Sequence, residues 1–331
     1  MISFINPNRR RALAAIAYTA GLGSMPWNAA AQSYPTRPVR VVVPFAPGGA
    51  TDILARLISA ELTIALGQAF AVDNVSGGGG NIGSNQVAKA AADGHTLLFG
   101  AAGNLTINPG LFANMPYDPV SDLAPVSLMA STMNVLVAHP AVNARSVREL
   151  IALAKEQPDK LTYASAGNGS TIHLAAEMFK SMARVNVLGV PYRGSGPAMI
   201  DLLAGRTNIM FENMPSALPH IQSGALRAIG VTGKVRSDLL PTVPTIAEAG
   251  LPGFEATSWF GVLAPARTPA PVIDRLHRSI TDAMKKPEII EKVRKLGAEV
   301  SLNSPDEFRQ LIRTDTEKWG IIIKAAGIKL D

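Results

Sequence analysis

From Pro38 onward, short apolar runs alternate with longer amphipathic stretches. Val39–Val43 (VRVVV) predicts a buried strand. After the turn PFAPGGATD, apolar residues recur at Ile53, Leu54, Leu57, Ile58 and Leu62, the 3.6-residue period of an amphipathic helix. Ala69–Val72 predicts a second strand, Ser84–Ala91 a second helix and Thr96–Gly100 a third strand. This β-α-β-α-β rhythm implies a parallel sheet with helices on its faces.

The rhythm restarts after Asn134. Strands are predicted at Val135–His139, Leu161–Ser165, Val187–Tyr192, Asn208–Glu212 and Leu226–Thr232, with helices at Val147–Lys155, His173–Met182 and Ala198–Leu203. Ser146 opens the first of these helices. Ser195 or Gly196 can cap the third, with Pro197 in its first turn, where a missing N–H costs nothing. Residues 233–256, rich in turn formers, predict a long surface connection. Phe260–Ala264 is a further strand, followed by helices at Pro271–Met284, Glu288–Leu296 and Pro305–Ala326, the last closed by Gly327 and packing on the first sheet. The expectation is two α/β lobes, each a mostly parallel sheet flanked by helices. Residues 32–133 and 256–331 form lobe 1 and residues 134–255 form lobe 2, with the chain crossing near 134 and returning near 256.

Residues 1–31 read differently. Arg9, Arg10 and Arg11 form a basic region, Ala12–Met25 an apolar run, and Ala29-Ala30-Ala31 supply small residues for cleavage before Gln32. That order describes a secretory signal. The run falls short of the ~20 apolar residues that span a bilayer. With no cysteine in the chain, a bacterial lipid anchor is excluded, so no membrane anchor is expected. The paired arginines leave general and twin-arginine export both open.

The signal changes the meaning of the charge. The full chain of 331 residues carries 31 basic and 25 acidic side chains, a net +6. Three of the basic ones lie in the signal, so the mature chain is nearly neutral, and no Lys/Arg stripe interleaves with aromatics as a nucleic-acid surface requires. The absence of cysteine also excludes disulfides, thiolate metal sites and a cysteine nucleophile.

Eleven of the 29 glycines fall in four strand-to-helix turns: PFAPGGATD (Pro44–Asp52), SGGGGNIGS (Ser76–Ser84), SAGNGST (Ser165–Thr171) and RGSGP (Arg193–Pro197). In open parallel sheets, ligands bind beyond the carboxyl ends of the strands, where such turns lie. Glycine lets backbone N–H groups approach a ligand, and a helix start adds a positive dipole end. Four such turns suit a small anion, especially a carboxylate. Gly78–Gly83 formally matches G-x-G-x-x-G, but the following strand ends without the acidic residue of a dinucleotide site. There is no P-loop, nucleophile elbow or S-x-x-K signature. The five histidines lack metal-ligand spacing, and no cofactor or metal is expected. Asp52 either supplies helix-start electrostatics to the N–H groups of the following turn or has a functional role, ordering the loop or meeting an amine or water on a ligand. Arg193 either pairs with a carboxylate or is a surface residue.

These segments resemble the substrate-binding receptors of tripartite tricarboxylate transporters, the Bug-type receptors. The resemblance rests on VPFAPGGATDILAR (Val43–Arg56), NVSGGGGNIGSNQVAKAAADGHTLL (Asn74–Leu98), YASAGNGSTIHLAAEMF (Tyr163–Phe179), VPYRGSGPAMIDLLAGR (Val190–Arg206) and LPTVPTIAEAGLPGF (Leu240–Phe254), in that order. It implies a two-lobe type II periplasmic-binding-protein fold, a monomer closing on a small carboxylate in the periplasm, and delivery to integral-membrane permease subunits. It also implies a ligand site of Pro47, Gly48, Gly49, Thr51 and Asp52 in the first turn and Ser76, Gly77, Gly78, Gly79 and Asn81 in the second. Ser165, Gly167, Asn168, Gly169, Ser170 and Thr171 would hold the proximal carboxylate. Tyr192, Arg193, Glu212 and Asn213 map near the cleft, with Glu212 standing where the family more commonly has aspartate. Two competing readings stay open from sequence: a sensor presenting its ligand to a membrane kinase, and a hydrolase using the same cleft.

Overall fold

The computed structural model describes residues 34–328, and the compact body begins at Arg37. The expected export signal and its cleavage point lie outside the described residues.

The first half alternates as the periodicity requires: β1 (Val39–Val43), α1 (Ala50–Leu66), β2 (Phe70–Asn74), α2 (Asn81–Ala88) and β3 (Thr96–Ala101). A wide helical turn over Gly103–Ile107 runs into the short α3 (Asn108–Leu111). The chain then enters β4 (Leu123–Ala138), followed by α4 (Val147–Glu156), β5 (Thr162–Ser165), α5 (Thr171–Ala183), β6 (Leu188–Pro191), α6 (Ser195–Leu203), β7 (Ile209–Asn213), α7 (Met214–Gln222) and β8 (Arg227–Val231). β9 (Thr257–Pro265), α8 (Ala270–Met284), α9 (Pro287–Lys295), β10 (Ala298–Val300) and α10 (Pro305–Ala326) complete it.

The sheet order is β2-β1-β3-β9-β4-β7-β5-β6, with β8 and β10 also pairing with β4. β1 is parallel to β2 and β3, and β5 is parallel to β6 and β7. Each antiparallel pairing among the described strands involves β4 or β9. The result is a mixed sheet flanked by helices: two parallel halves joined through two long antiparallel strands.

β4 makes the join. Its residues up to Met133 pair with β9, and from Asn134 they pair with β7 and β8. A hydrogen-bonded polar cluster marks this point. Thr232 Oγ1 accepts from the Asn134 N–H at 2.8 Å and donates to the Ala256 carbonyl. Asn213 Nδ2 donates to Asn134 Oδ1 at 2.8 Å and to Ser258 Oγ at 3.1 Å. Buried polar groups are tolerated when bonded in this way.

Alternation in β4 and β7 fills both faces of the second half. Leu136 and Phe211 pack with Phe179 and Phe254 on one side. Val135, Val137 and Met210 pack with Met199 and Met214 on the other, as a period of two demands. In the first half, Phe308 and Ile312 of α10 join Val42, Leu98 and Leu263 in one core.

Three sequence readings need revision. The strand expected at 135–139 begins twelve residues earlier, at Leu123. The connection 233–256 is not all surface, because Ile246, Leu251 and Phe254 are buried. The helix expected at Ala198 starts at Ser195 with Gly194 as its cap, so Ser195 is not the capping residue. Its hydroxyl donates instead to Glu212 Oε1 at 3.0 Å.

Candidate functional site

Strand-to-helix turns place several helix starts around one cavity. Gly49 and Thr51 reach it from the start of α1, Ser170, Thr171 and Ile172 from α5, and Ser195 from α6. Gly103 opens the helical turn after β3, and Asn213 ends β7. Phe45, Ala46, Ala101, Ala166 and Phe260 complete the wall, and none of the lining residues carries a charge. The first N–H groups of a helix have no partner within it. This cavity therefore faces oriented donors and positive dipole ends inside an uncharged shell. Its volume is about 30 Å³, room for a couple of waters and far below the ~300 Å³ of ordinary small-molecule sites.

The first and fourth turns meet beside this cavity. The Ala46 N–H donates to the Arg193 carbonyl at 3.0 Å. A Cβ added to Gly196 would lie 2.0 Å from the Pro47 carbonyl oxygen, so only glycine permits this approach. The second and third turns meet likewise: Gly79, at φ 64°, would direct a Cβ to 2.2 Å from the Asn168 carbonyl oxygen. Thr171 Oγ1 and Ser258 Oγ share a hydrogen bond between α5 and β9.

Of the residues predicted for the site, Gly49, Thr51, Ser170, Thr171 and Asn213 line this cavity. Pro47 and Gly48 stand exposed at its edge. Asp52 is buried and turned into its own loop. It accepts from the Gly48 N–H at 3.2 Å, from Asn74 Nδ2 at 3.0 Å and from Arg56. Burial opposes the charge, yet the hydrogen bonds from Arg56, Asn74 and Gly48 hold its carboxyl below the ordinary aspartate value. Loop ordering, one of the roles open from sequence, accounts for these bonds.

The second turn stands apart from the cavity. Ser76, Gly77, Gly78, Gly79 and Asn81 do not line it, and Asn81 Oδ1 accepts from Asn108 Nδ2 at 2.7 Å. In the third turn, much of the donor capacity is spent internally. Ser170 Oγ donates to the Gly167 carbonyl at 2.7 Å and accepts from the His173 N–H at 3.1 Å. The Gly169 N–H points to His173 Nδ1 at 3.4 Å, and burial keeps that imidazole below its usual pKa and so neutral. Ser165 is buried at the end of β5, its carbonyl accepting from the Tyr192 N–H. Tyr192 turns its hydroxyl to Asp201 at 2.7 Å, and the Arg193 side chain is exposed.

Glu212 sits behind the wall with no solvent exposure. Its Oε1 accepts from Ser195 Oγ at 3.0 Å, Ser216 Oγ at 2.5 Å and the Asn213 N–H at 2.9 Å. Its Oε2 is buried without a partner. Burial dominates the three hydrogen bonds and pushes its pKa up to about 7. Among the described residues, no cluster of three or more His, Asp or Glu could hold a metal ion.

Sequence reasoning missed Phe45, Ala46, Ala101, Gly103, Ala166, Ile172 and Phe260, and treated Ser195 as a cap. Phe45, Ala46, Ala166 and Ser195 lie within the glycine-rich turns already singled out, whereas Ala101 and Gly103 have only the small-residue run Ala101-Ala102-Gly103 after a strand, which carries no recognisable chemistry by itself.

Comparison with known proteins places this geometry. Residues 54–328 match the model of the tripartite tricarboxylate transporter family receptor. Protein BugT of Bordetella pertussis is 38% identical over 324 residues, 98% of this chain and 99% of its own. Two solved Rhodopseudomonas palustris structures share the fold. One is Rpa4515 with adipate, 40% identical with a TM-score of 0.87 over 89% of this chain and 99% of that one. The other is MatC with bound malate, 34% identical with a TM-score of 0.85 over 88% of this chain and all of that one.

Proposed function

The chain belongs to the tripartite tricarboxylate transporter receptor family, whose members bind solutes and are not enzymes, and on that premise we propose that it is an exported periplasmic receptor for a small organic carboxylate. It captures the anion between two lobes, residues 32–133 with 256–331 and residues 134–255, and hands it to a membrane permease formed by other chains. Among the described residues, no helix is long and apolar enough to cross a membrane.

One observation carries this reading: the starts of α1, α5 and α6 converge on a cavity whose lining has no charged side chain. A carboxylate there is held by dipoles and hydrogen bonds to N–H and hydroxyl groups. Hydrogen bonds to a charged group contribute about 1.5–3 kcal/mol each. Three or four of them reach the ~8 kcal/mol of micromolar binding. The adipate and malate in the two Rhodopseudomonas neighbours are both carboxylates.

The small cavity and the backbone contacts across it describe a closed arrangement. For a dicarboxylate to enter, Ala46 must part from Arg193, Pro47 from Gly196 and Gly79 from Asn168. The cluster around Asn134, where β4 exchanges partners, is the place for the hinge. Only closure brings the helix starts of both lobes onto one anion, so the ligand favours the closed state.

A thermal-shift panel of carboxylates, sugars and amines, with native mass spectrometry of the hits, tests the function. Carboxylates should raise the melting temperature by several degrees at about a hundredfold excess over Kd. A panel in which no carboxylate binds overturns the reading.

A further inference from the structure

The Glu212 carboxyl has a lopsided environment. Three donors, Ser195 Oγ, Ser216 Oγ and the Asn213 N–H, converge on Oε1. Oε2 is equally buried and receives none. An ionised carboxylate spreads its charge over both oxygens and calls for donors on each. A neutral acid has no charge to leave unsatisfied, so an unpartnered oxygen costs it less. An Oε2 without a donor satisfies the ionised form poorly and so favours the neutral acid over the carboxylate.

Among the described residues, no ion pair compensates an ionised Glu212. It pairs across the sheet with Val135 of β4, and the α6 and α7 groups against it are the serine hydroxyls. None of the ionisable side chains of the surrounding elements is hydrogen-bonded to Glu212. Asp201 of α6 is bonded to Tyr192 and Arg206, and Tyr163 of β5 to Glu177. His220 lies in the last turn of α7, and Arg227 of β8 donates to the carbonyls of Val142 and Ala144. In the first lobe, Asp52 and Arg56 bond each other.

Ser195 and Asn213 belong to both environments: each donates to Glu212 and each lines the cavity. An anion in the cavity is therefore one residue away from this carboxyl. Like charges so close in a dry site cannot both be retained cheaply, and the protein-borne one can be neutralised by a proton. We infer that Glu212 is a proton-linked binding residue, taking up a proton when a carboxylate enters the cavity and weakening the complex when that proton is withdrawn. The inference rests on the carboxylate-receptor reading above.

Isothermal titration calorimetry tests it with malate, adipate and benzoate, all fully ionised at pH 8, in phosphate and in Tris, whose ionisation enthalpies differ. The expected result is uptake of about half a proton or more per bound solute at pH 8, with affinity falling roughly tenfold between pH 6 and 8.5. In Glu212→Gln, uptake should vanish and affinity should stay flat over that range. If that variant fails to fold, carboxyl carbon NMR of glutamate-labelled wild-type protein should show one buried glutamate whose titration midpoint rises on adding the bound solute. A carboxylate that binds without proton uptake, or uptake that survives in Glu212→Gln, overturns this inference and leaves the receptor reading intact. If none of the three solutes nor any other carboxylate of the panel binds, the receptor reading fails and this inference falls with it.

Discussion

The Ala46 N–H donates to the carbonyl oxygen of Arg193 at 3.0 Å, tying the turn before α1 to the turn before α6. Two turns some 150 residues apart in sequence meet backbone to backbone, and the glycines around them leave no side chain in the way.

Gly196 offers a way to separate closure from folding. Its φ lies outside the left-handed region, and an added Cβ would meet only Pro47 and Gly48 of the opposing turn. Gly196→Ala should therefore fold, its helix gaining up to about 0.5–1 kcal/mol from alanine and losing what the contacts between these two turns contribute. Its carboxylate affinity should fall tenfold or more, because the closed arrangement no longer fits. Calorimetry and urea denaturation on the same variant check both halves; unchanged affinity would mean that these turns do not close on the ligand.

Ser170 caps α5 through the His173 N–H and holds the Gly167 carbonyl. Ser170→Ala should cost about 1 kcal/mol of stability, and Ser170→Gly only a few tenths from the lost cap. Urea unfolding midpoints of the two variants provide the test. Equal losses would argue against the capping role.

Glu212 should also leave a mark on stability in the absence of ligand. Its pKa rises from 4.5 to about 7 on folding, so between those values the native state holds more protons than the unfolded one. Stability contributed by the neutral acid is present below about pH 4.5 and is lost as pH rises through 7. The full loss is about 3 kcal/mol from linkage. Unfolding free energies from pH 5 to 8.5 should fall more steeply for wild type than for Glu212→Gln. Parallel slopes would place the titration elsewhere.

Much of this fold was legible because local signals and tertiary packing agree. VRVVV is β1, and the apolar spacing through Leu62 is α1. Ser304 and Glu307 form a full capping box at the start of α10. The first twelve residues of β4 were not legible, because Pro125, Ser127, Ser131 and Thr132 interrupt its apolar pattern. They are strand only because β9 lies alongside with two register shifts and because Ser127 and Thr132 place their hydroxyls on nearby carbonyls. β10 is three residues long and exists by pairing with β4. At the site, glycine-rich turns announced helix starts, and those of α1 and α5 supply lining residues. They did not announce which donors are spent inside the turns, as at Gly169 and Ser170. Nor did they show that Ser195 serves Glu212 instead of its helix, since both facts depend on contacts between segments distant in sequence.

The central claim is that negative charge on the solute is what the helix starts recognise. The most direct measurement is calorimetric titration of the tightest-binding carboxylate of the panel beside its neutral amide, for example adipate beside adipamide, at one pH and ionic strength. The two solutes match in shape and differ in charge. The account predicts one-to-one binding of the carboxylate and at least hundredfold weaker binding of the amide, from losing about two charge-assisted hydrogen bonds. Equal affinity for the two would contradict it.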